Sequence, residues 1–440
     1  MNTPRLTHIA ARGLLGQFDH DIDFPAVDEF VIVHGPNGVG KTRLLEAVDA
    51  VVKGKRSGYG TFKSMALTFD GSQVLTVEAS SAATGEQSVT RSLTRHGVVV
   101  ATDTGPVSQD EMRRALNAHV HSGRLRRMMG GPEEVYYRDL DTGELSDLES
   151  TFIRFVGAQG YLGDPESEIG SLLTSLRVSL IEVNRLRGTE PIRRSRLAGP
   201  DRDEPSMSAT QTLAADLAAR ITGARAENSL ASQRLDRTFP ERLLEQYRLG
   251  DEPSVAELTE MAGTLSRRRE QLEAASLLEA QSAPDRDPVG LEAWQRFALK
   301  MHYADALRKL DSFEQLAKQI ELFRDIVGTK FLNKELVVDG SKGFFFRAGN
   351  GTELTSDQLS SGEQHEVVLT YRLIFDSSPG QLVLIDEPEI SLHVAWQRQF
   401  LNDLQRIAQL GEMRFIVATH SPQIVGEWGD RVQLLGVVDA

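Results

Sequence analysis

A glycine-rich stretch, GPNGVGKT at residues 35–42, contains the first side chains whose types and spacing could do chemistry. An apolar run precedes it and a helical pattern follows, which is the strand–loop–helix context of a phosphate-binding loop. The glycines let backbone N–H groups curl around phosphate oxygens, and the helix N-terminus adds its positive end. We expect Lys41 to contact the β- and γ-phosphates of ATP and Thr42 to ligate Mg²⁺. The predicted nucleotide-binding residues are Gly35, Pro36, Asn37, Gly38, Val39, Gly40, Lys41 and Thr42.

Two later apolar runs, residues 382–385 and 415–418, end in side chains suited to the same chemistry. The first run leads into Asp386 and Glu387, and the second leads towards His420. Because the carboxyl ends of parallel strands meet at one edge of a sheet, these side chains should lie beside the phosphate loop. Asp386 can hold Mg²⁺ through water, and Glu387 can polarise the attacking water as a general base. The position of His420 suits a sensor of the terminal phosphate.

A third stretch, LSSGEQ at residues 359–364, is separated from Lys41 by about 317 residues. It has no acid–base pair and no metal-ligand spacing, but it begins a helical run that continues to residue 375. The Ser360 hydroxyl, backbone N–H groups and the helix dipole are therefore expected to face outward together as an anion site.

With these motifs, the chain resembles the ATP-binding cassette (ABC) ATPases. Lys41, Asp386, Glu387 and His420 match that family's phosphate loop, metal acid, catalytic glutamate and switch histidine. LSSGEQ matches its signature motif, with Ser361 where many members have glycine. The cofactors that this resemblance implies are ATP and Mg²⁺.

The resemblance also implies that the signature of one subunit caps the nucleotide of another. Ser360, Ser361 and Gly362 would then contact ATP held by a second copy, because one domain cannot fold this helix start onto its own phosphate loop. The expected assembly is a homodimer, or a higher even-numbered oligomer, with an isologous interface.

The sequences of the motifs are similar to those of SMC-like and OLD-like ATPases. The stretches DEPEISLHVAWQ and ATHSPQIV look like those of OLD-like ATPases and of stand-alone ATPases from bacterial anti-phage systems of the PARIS or Septu type. Residues 177–188, RVSLIEVNRLRG, resemble the glutamine-loop segment of OLD-like ATPases. Asn184 stands where glutamine is usual, and its side chain is one methylene shorter.

These features predict an α/β chain with an ABC-type ATPase head, mixed β-sheets around the phosphate-loop core and an inserted α-helical hairpin or arm. We expect an N-terminal ATPase lobe at 1–188, the helical arm at 189–329 and a C-terminal ATPase lobe at 330–440. Strands are predicted in the first 110 residues from LTHIAARGL, FVIVH, SMALTFD, QVLTVEA and GVVVATD.

The arm is predicted from two apolar stripes. Leu258, Leu265 and Leu272 recur every seven residues, and a second stripe follows an a/d pattern. The stretch SAPDRDPVG between them predicts a reversal, hence an antiparallel hairpin with arms of about 30 residues, or about 45 Å. The stripes fit either an intramolecular core or a surface for a dimer or partner. The second stripe comprises Phe313, Leu316, Ile320, Phe323 and Val327.

Composition narrows the class of protein further. The sequence has no cysteine, which excludes disulfides, thiolate metal sites and cysteine nucleophiles. The N-terminus lacks an apolar signal core, and no apolar run approaches the roughly 20 residues of a membrane span, so we expect a cytoplasmic protein without membrane contact. The net charge is −14, so DNA, a candidate partner, would need a local basic patch. Two stretches offer one: RRALNAHVHSGRLRR at 113–127 and the arginines between 185 and 202.

Two functions remain open. The first is an ATPase sensor or scaffold of an anti-phage system that controls a separately encoded effector, a nuclease or a toxin. OLD nucleases carry a nuclease domain after the ATPase, whereas twenty residues follow His420 here, so the effector is expected on another chain. The alternative is a RecF-like or SMC-like DNA-repair ATPase that acts on DNA ends or gaps. The long insertion disfavours a transporter subunit.

Overall fold

The computed structural model describes residues 4–24, 29–54, 61–81, 87–104, 109–129, 135–140, 145–148, 151–152, 155, 167–182, 208–249, 252–279, 289–355 and 358–435. Two compact units make up the chain. The first combines Met1–Arg185 with Ser377–Ala440, and the second is Leu186–Asp376. The phosphate loop and residues 386–420 thus belong to the first unit, and the signature belongs to the second.

The described elements run from a strand-rich N-terminal part, through consecutive helices, to a mixed C-terminal part. The strands are β1 (Leu6–Leu14), β2 (Phe18–Asp23), β3 (Phe30–His34), β4 (Ser64–Phe69), β5 (Gln73–Ser81), β6 (Gln87–Arg95), β7 (Val98–Thr104), β8 (Leu125–Met129), β9 (Val135–Asp139), β10 (Leu145–Asp147), β11 (Val178–Glu182), β12 (Lys334–Asp339), β13 (Gly343–Ala348), β14 (Glu353–Leu354), β15 (Leu382–Asp386), β16 (Arg414–Thr419) and β17 (Val432–Leu434). The helices are α1 (Lys41–Lys53), α2 (Gln109–His121), α3 (Glu168–Ser175), α4 (Ala209–Leu249), α5 (Val255–Ala274), α6 (Ala293–Leu310), α7 (Glu314–Lys330), α8 (Ser361–Phe375), α9 (Val394–Gln397), α10 (Phe400–Ala408) and α11 (Pro422–Val425).

A parallel sheet forms the centre of the first unit, with the strand order β11-β15-β16-β3-β17. All residues of β15 are buried, as expected for a strand covered on both faces. The register places Asp386 opposite Ala418, and Thr419 opposite His34. The carboxyl ends of β15, β16 and β3 therefore lie side by side, as the sequence predicts.

An antiparallel sheet with the order β2-β1-β4-β5-β6-β7 completes most of the first unit. Its strands alternate: in β4, Met65, Leu67 and Phe69 are buried and the residues between them are partly exposed. The buried face shares one hydrophobic core with α1 and the parallel sheet. The five strands predicted in the first 110 residues are all present, which confirms the β-rich part of the α/β fold.

The first arginine patch lies on a small layer formed by α2 and the sheet β10-β9-β8. Arg114, Arg124, Arg126 and Arg127 are exposed there. In the sequence, residues 130–149 contain seven acidic residues and one arginine. The second patch, residues 185–202, lies outside the described residues.

The helices of the second unit confirm a helical arm but correct its layout. Lys300 lies 2.6 Å from Glu257, and Arg268 lies 2.8 Å from Asp311, so α5 and α6 run in the same direction. The predicted antiparallel pairing across SAPDRDPVG is therefore wrong. A third helix, α4, spans 41 residues and packs against α6.

The predicted second arm is also divided, because a 3₁₀ turn at Asp311–Phe313 separates α6 from α7. Both apolar stripes face the interior. Leu258, Leu265 and Leu272 are at most 4 % exposed, and Phe323 is fully buried against the rings of Phe344, Tyr371 and Phe375. The stripes thus form intramolecular core. Among the described residues, no helix is both long and apolar enough to cross a membrane.

Candidate nucleotide site

The phosphate loop joins β3 to α1 through a tight turn that depends on its glycines. Gly40 has φ of +90°, in the left-handed region that other residues adopt only under strain. A Cβ atom on Gly35 would lie 2.7 Å from the carbonyl oxygen of Leu435, so no larger residue fits there. The loop backbone therefore packs closely against Leu435, the residue that follows β17. A tight turn of this kind is what a phosphate-binding loop requires.

Lys41 begins α1 and is only 5 % exposed. Its ammonium donates hydrogen bonds to the carbonyl oxygens of Gly35 (2.7 Å) and Pro36 (3.0 Å). The positive charge therefore sits inside the loop, where phosphate oxygens would compete for the same donors. This geometry fits the phosphate-binding role predicted for the lysine.

His20 supports the loop from β2, a contact that the sequence did not reveal. The imidazole is buried and its Nε2–H donates to the carbonyl oxygen of Val39 at 2.8 Å. The ring of Phe18 stacks on it with a centroid distance of 5.9 Å. Strand β2 thus fixes the middle of the phosphate loop.

Thr42 and Asp386 meet although 344 positions separate them in the chain. The Thr42 hydroxyl donates to Asp386 Oδ2 at 2.8 Å. Asp386 ends β15 and is 7 % exposed. A hydroxyl and a carboxylate at this spacing supply the hard oxygen ligands that Mg²⁺ prefers, so the residues present fit the ion that the phosphate loop implies.

Glu387 follows Asp386 with an uncommon backbone. Its φ and ψ are 46° and 57°, a left-handed conformation that costs about 1–3 kcal/mol for a residue with a side chain. Its N–H donates to the carbonyl oxygen of Ala418 at 2.9 Å, which ties the turn to β16. The side chain is 23 % exposed, and its Oε1 lies 3.7 Å from Nδ1 of His420. The two groups therefore face the same small space.

His420 is held by a residue that the sequence analysis did not single out. Glu389 Oε1 lies 2.9 Å from Nδ1 of His420 and accepts the backbone N–H of His420 at 2.8 Å. It also accepts the Thr419 hydroxyl at 2.7 Å. A carboxylate oxygen at this distance favours the tautomer with the proton on Nδ1, which leaves Nε2 to act elsewhere.

Further polar side chains lie behind Glu389. Gln397 donates to the carbonyl oxygens of Glu389 (3.3 Å) and Leu392 (3.0 Å), and it accepts the Ser421 hydroxyl at 2.7 Å. All of these contacts are buried. Buried hydrogen bonds tolerate few alternative arrangements, so these contacts hold the turn after β15 against the turn after β16.

The signature lies in the second unit, at the start of α8. Ser360 is the N-cap: its hydroxyl accepts the Glu363 N–H at 3.3 Å, and its own N–H donates to Glu363 Oε2 at 2.7 Å. Ser360 and Ser361 are exposed and Gly362 is partly exposed. The Ser360 O–H and the N–H groups that open the helix face solvent as donors for an anion.

The structure thus brings Lys41, Thr42, Asp386, Glu387 and His420 to one edge of the parallel sheet. The signature residues have the predicted helix-start geometry within their own unit. Asn184 lies outside the described residues. Within the described ranges, no group of three or more His, Cys, Asp or Glu side chains is arranged to hold a metal ion.

Residues 257–426 match the family model described as "AAA domain, putative AbiEii toxin, Type IV TA system". The matched range includes the signature, Asp386, Glu387 and His420, and it leaves out the phosphate loop. It covers less than half of the chain.

Two curated relatives match a shorter segment. They are the phosphonates import ATP-binding proteins PhnC of Lactobacillus johnsonii and Lactobacillus gasseri, each 32 % identical over 77 residues. The match covers 18 % of this chain and 29 % and 28 % of the two relatives, so the chain spans less than a third of their length.

Solved structures of SMC heads are similar over nearly the whole chain. One is the Smc head domain from Pyrococcus furiosus, with an extended coiled coil bound to the C-terminal domain of ScpA: identity 14 %, coverage 96 % of this chain and 91 % of that one, TM-score 0.36. Another is the SMC head domain from Thermotoga maritima: identity 12 %, coverage 98 % and 93 %, TM-score 0.33.

The α/β architecture, the phosphate loop with its opposed Asp386, and the family match define an ATPase domain of the AAA/ABC type within this chain.

Proposed function

We propose that the chain is an Mg²⁺-dependent ATPase that dimerises around ATP and, as a sensor or scaffold, controls a separately encoded effector in bacterial anti-phage defence. The observation that carries the ATPase part is the 2.8 Å contact between Thr42 and Asp386. It joins the phosphate loop to the acid of β15, which is the pairing that magnesium-dependent phosphoryl transfer needs.

The phosphate loop and the end of β15 together bind ATP and Mg²⁺. Lys41 donates to oxygens of the β- and γ-phosphates, and the glycine-rich backbone surrounds them. Thr42 and Asp386 would hold Mg²⁺, directly or through water. When bound, the ion neutralises charge on the phosphate oxygens.

Glu387 and His420 act on the attacking water and on the terminal phosphate of ATP. Glu387 accepts a proton from the attacking water as general base. Nε2 of His420 faces the terminal phosphate or the water, because Nδ1 is engaged by Glu389. Glu389 acts through His420 and is a positioning residue.

The dimer proposal rests on the signature. Ser360, Ser361 and Gly362 present donors at the exposed start of α8, which suits the terminal phosphate of ATP held by a second copy. ATP would then contact two chains in the closed dimer and one chain in the open form, so its binding favours closure.

The effector proposal rests on two likenesses. The motifs resemble those of stand-alone ATPases from anti-phage systems, and the description of the matching family names a toxin. A nuclease or toxin on a separate chain is the expected partner. Co-expression with the product of a neighbouring gene, followed by pull-down and a toxicity assay, tests this part. Robust ATP-dependent action on DNA ends by the chain alone would favour the DNA-repair alternative.

The ATPase proposal is tested by phosphate release with Mg²⁺. Lys41→Ala should abolish ATP binding, and Asp386→Asn should lower turnover by about 10²-fold or more. Glu412→Gln serves as the matched control and should retain activity, because its side chain is 79 % exposed and precedes the N-terminal end of β16, whereas the site lies at the carboxyl end of that strand. Unchanged turnover in Asp386→Asn would contradict the assignment.

A further inference from the structure

Two lysines from one short segment form ion pairs with glutamates in the first turns of α8, the helix that begins at the signature. Lys330 ends α7 and Lys334 begins β12. The ammonium of Lys334 lies 2.8 and 2.7 Å from the two carboxylate oxygens of Glu363. The ammonium of Lys330 lies 2.5 Å from Oε1 of Glu366, one turn further along α8. Both contacts lie within the second unit.

Glu363 connects Lys334 to Ser360, because it contacts both residues. The same carboxylate that binds the lysine accepts the Ser360 N–H at 2.7 Å. The Glu363 N–H returns a hydrogen bond to the Ser360 hydroxyl at 3.3 Å. The orientation of the Ser360 hydroxyl and of the helix start is therefore coupled to the position of the lysine.

The charge state of Glu363 agrees with this coupling. Burial acts to raise the pKa of the Glu363 carboxyl, but hydrogen bonds from Lys334 and Ser360 outweigh it and hold the pKa below its ordinary value. The carboxylate is therefore ionised at neutral pH. It can bind Lys334 and accept the N–H of Ser360 together.

Lys330 and Glu366 form a deeper contact. Both side chains are 2 % exposed, and Thr370 also donates to Glu366 Oε1 at 2.9 Å. A buried ion pair adds little net stability over an apolar pair of the same size, but it tolerates few alternative arrangements of its elements. The pair thus fixes where α8 lies relative to the end of α7.

We infer that Lys334, backed by Lys330, is a positioning residue for the signature, and that it sets the donors which receive the terminal phosphate of ATP bound to a second copy of this chain. This inference rests on the proposed function. Lys334 does not itself contact nucleotide; it acts through Glu363 and Ser360.

The first test compares single variants. Lys334→Met should lower turnover by about tenfold or more while ATP affinity of the phosphate loop stays within about twofold, because the signature acts on the closed dimer. Lys334→Arg should restore most of the activity, since it keeps the charge. Lys342→Met is the matched control, because it removes an exposed ion pair with Glu353 (2.9 Å) at the turn between β12 and β13. Wild-type turnover in Lys334→Met would overturn the inference.

Mixing experiments separate positioning from general damage. In a heterodimer of Lys41→Ala and Lys334→Met chains, one composite site is doubly damaged and the other is intact, so activity should return. In a heterodimer of Ser360→Arg and Lys334→Met chains, each site contains one damaged signature, so activity should stay low. A Lys334→Met chain that is merely destabilised would leave both mixtures inactive, so recovery in the first mixture separates the two explanations.

The outcomes also distinguish the inference from the proposed function. Lys41→Ala mixed with Ser360→Arg reports on the dimer alone. If that pair recovers activity and Lys41→Ala with Lys334→Met does not, the positioning role is wrong and the dimer stands. If neither pair recovers although heterodimers form, both the dimer geometry and the inference are wrong. Recovery in both pairs supports both.

Discussion

Glu387 and Glu389 are separated by one proline but have different surroundings. Glu389 is 6 % exposed, and its Oε1 is engaged by Thr419 and His420. The Glu387 side chain is 23 % exposed, and its Oε1 lies 3.7 Å from Nδ1 of His420. The more open carboxylate is thus available to water, and the buried one holds the histidine.

Glu387→Gln should keep ATP binding and lower turnover by about 10²-fold or more, because general-base contributions are of that size. Single-turnover hydrolysis and equilibrium binding of a fluorescent ATP analogue measure the two effects separately. If the variant hydrolyses ATP at the wild-type rate, Glu387 is not the base.

Glu389 should act on turnover only through His420. We therefore expect Glu389→Ala and His420→Ala each to lower turnover, and the double variant to match His420→Ala within about twofold. Glu389→Gln keeps an acceptor oxygen and provides a second variant if the alanine chain folds poorly. Multiplication of the two single effects would show that the residues act independently.

Sequence spacing predicted that Lys41, Asp386 and His420 lie at one edge of the sheet, because each lies in a motif next to an apolar strand, and the roles of these residues stay predictions. It was not sufficient for Glu389 or His20. Glu389 contacts residues 30 positions away, and His20 contacts a loop 19 positions away. Such roles arise from how neighbouring strands are placed, which one glutamate or one histidine in a sequence does not reveal.

At the scale of elements, the start of α8 should depend on pH through Glu363. Its pKa is lower in the folded chain than its ordinary value of 4.5. The ionised carboxylate therefore stabilises the fold above that value, and the stabilisation is lost as pH falls through the folded-state pKa. Glu363→Gln should unfold at a lower temperature than wild type at neutral pH, with the difference shrinking below pH 4.5. Calorimetry that shows a constant difference across this range would contradict the assignment.

In the helical arm, the sequence predicted the buried helix faces but not the directions or the ends of the helices. The heptad spacing of Leu258, Leu265 and Leu272 correctly indicated a buried helix face. The spacing carried no information about direction, and the ion pairs between the two segments show that α5 and α6 run parallel. The break at Asp311–Phe313 contains no proline or glycine, so no strong local signal marked it.

At the scale of the whole molecule, ATP should control the effector through the open and closed forms of the dimer. Glu387→Gln, held closed by ATP, should fix effector output in one state, and Lys41→Ala, which cannot close, should fix it in the opposite state. Pull-down and toxicity in co-expressing cells measure this. Effector binding and toxicity that ignore both substitutions would rule out control by the ATPase cycle.

The most direct test of the central claim is the mass of the Glu387→Gln chain in solution, measured by light scattering with and without Mg²⁺ and ATP. We predict a monomer-to-dimer shift that requires ATP. Adding Ser360→Arg should abolish the shift while ATP binding to each chain persists, because the phosphate loop is intact. A dimer that forms equally well without ATP or with Ser360→Arg, or a chain that binds ATP and stays monomeric, would contradict a site completed by the signature of a second copy.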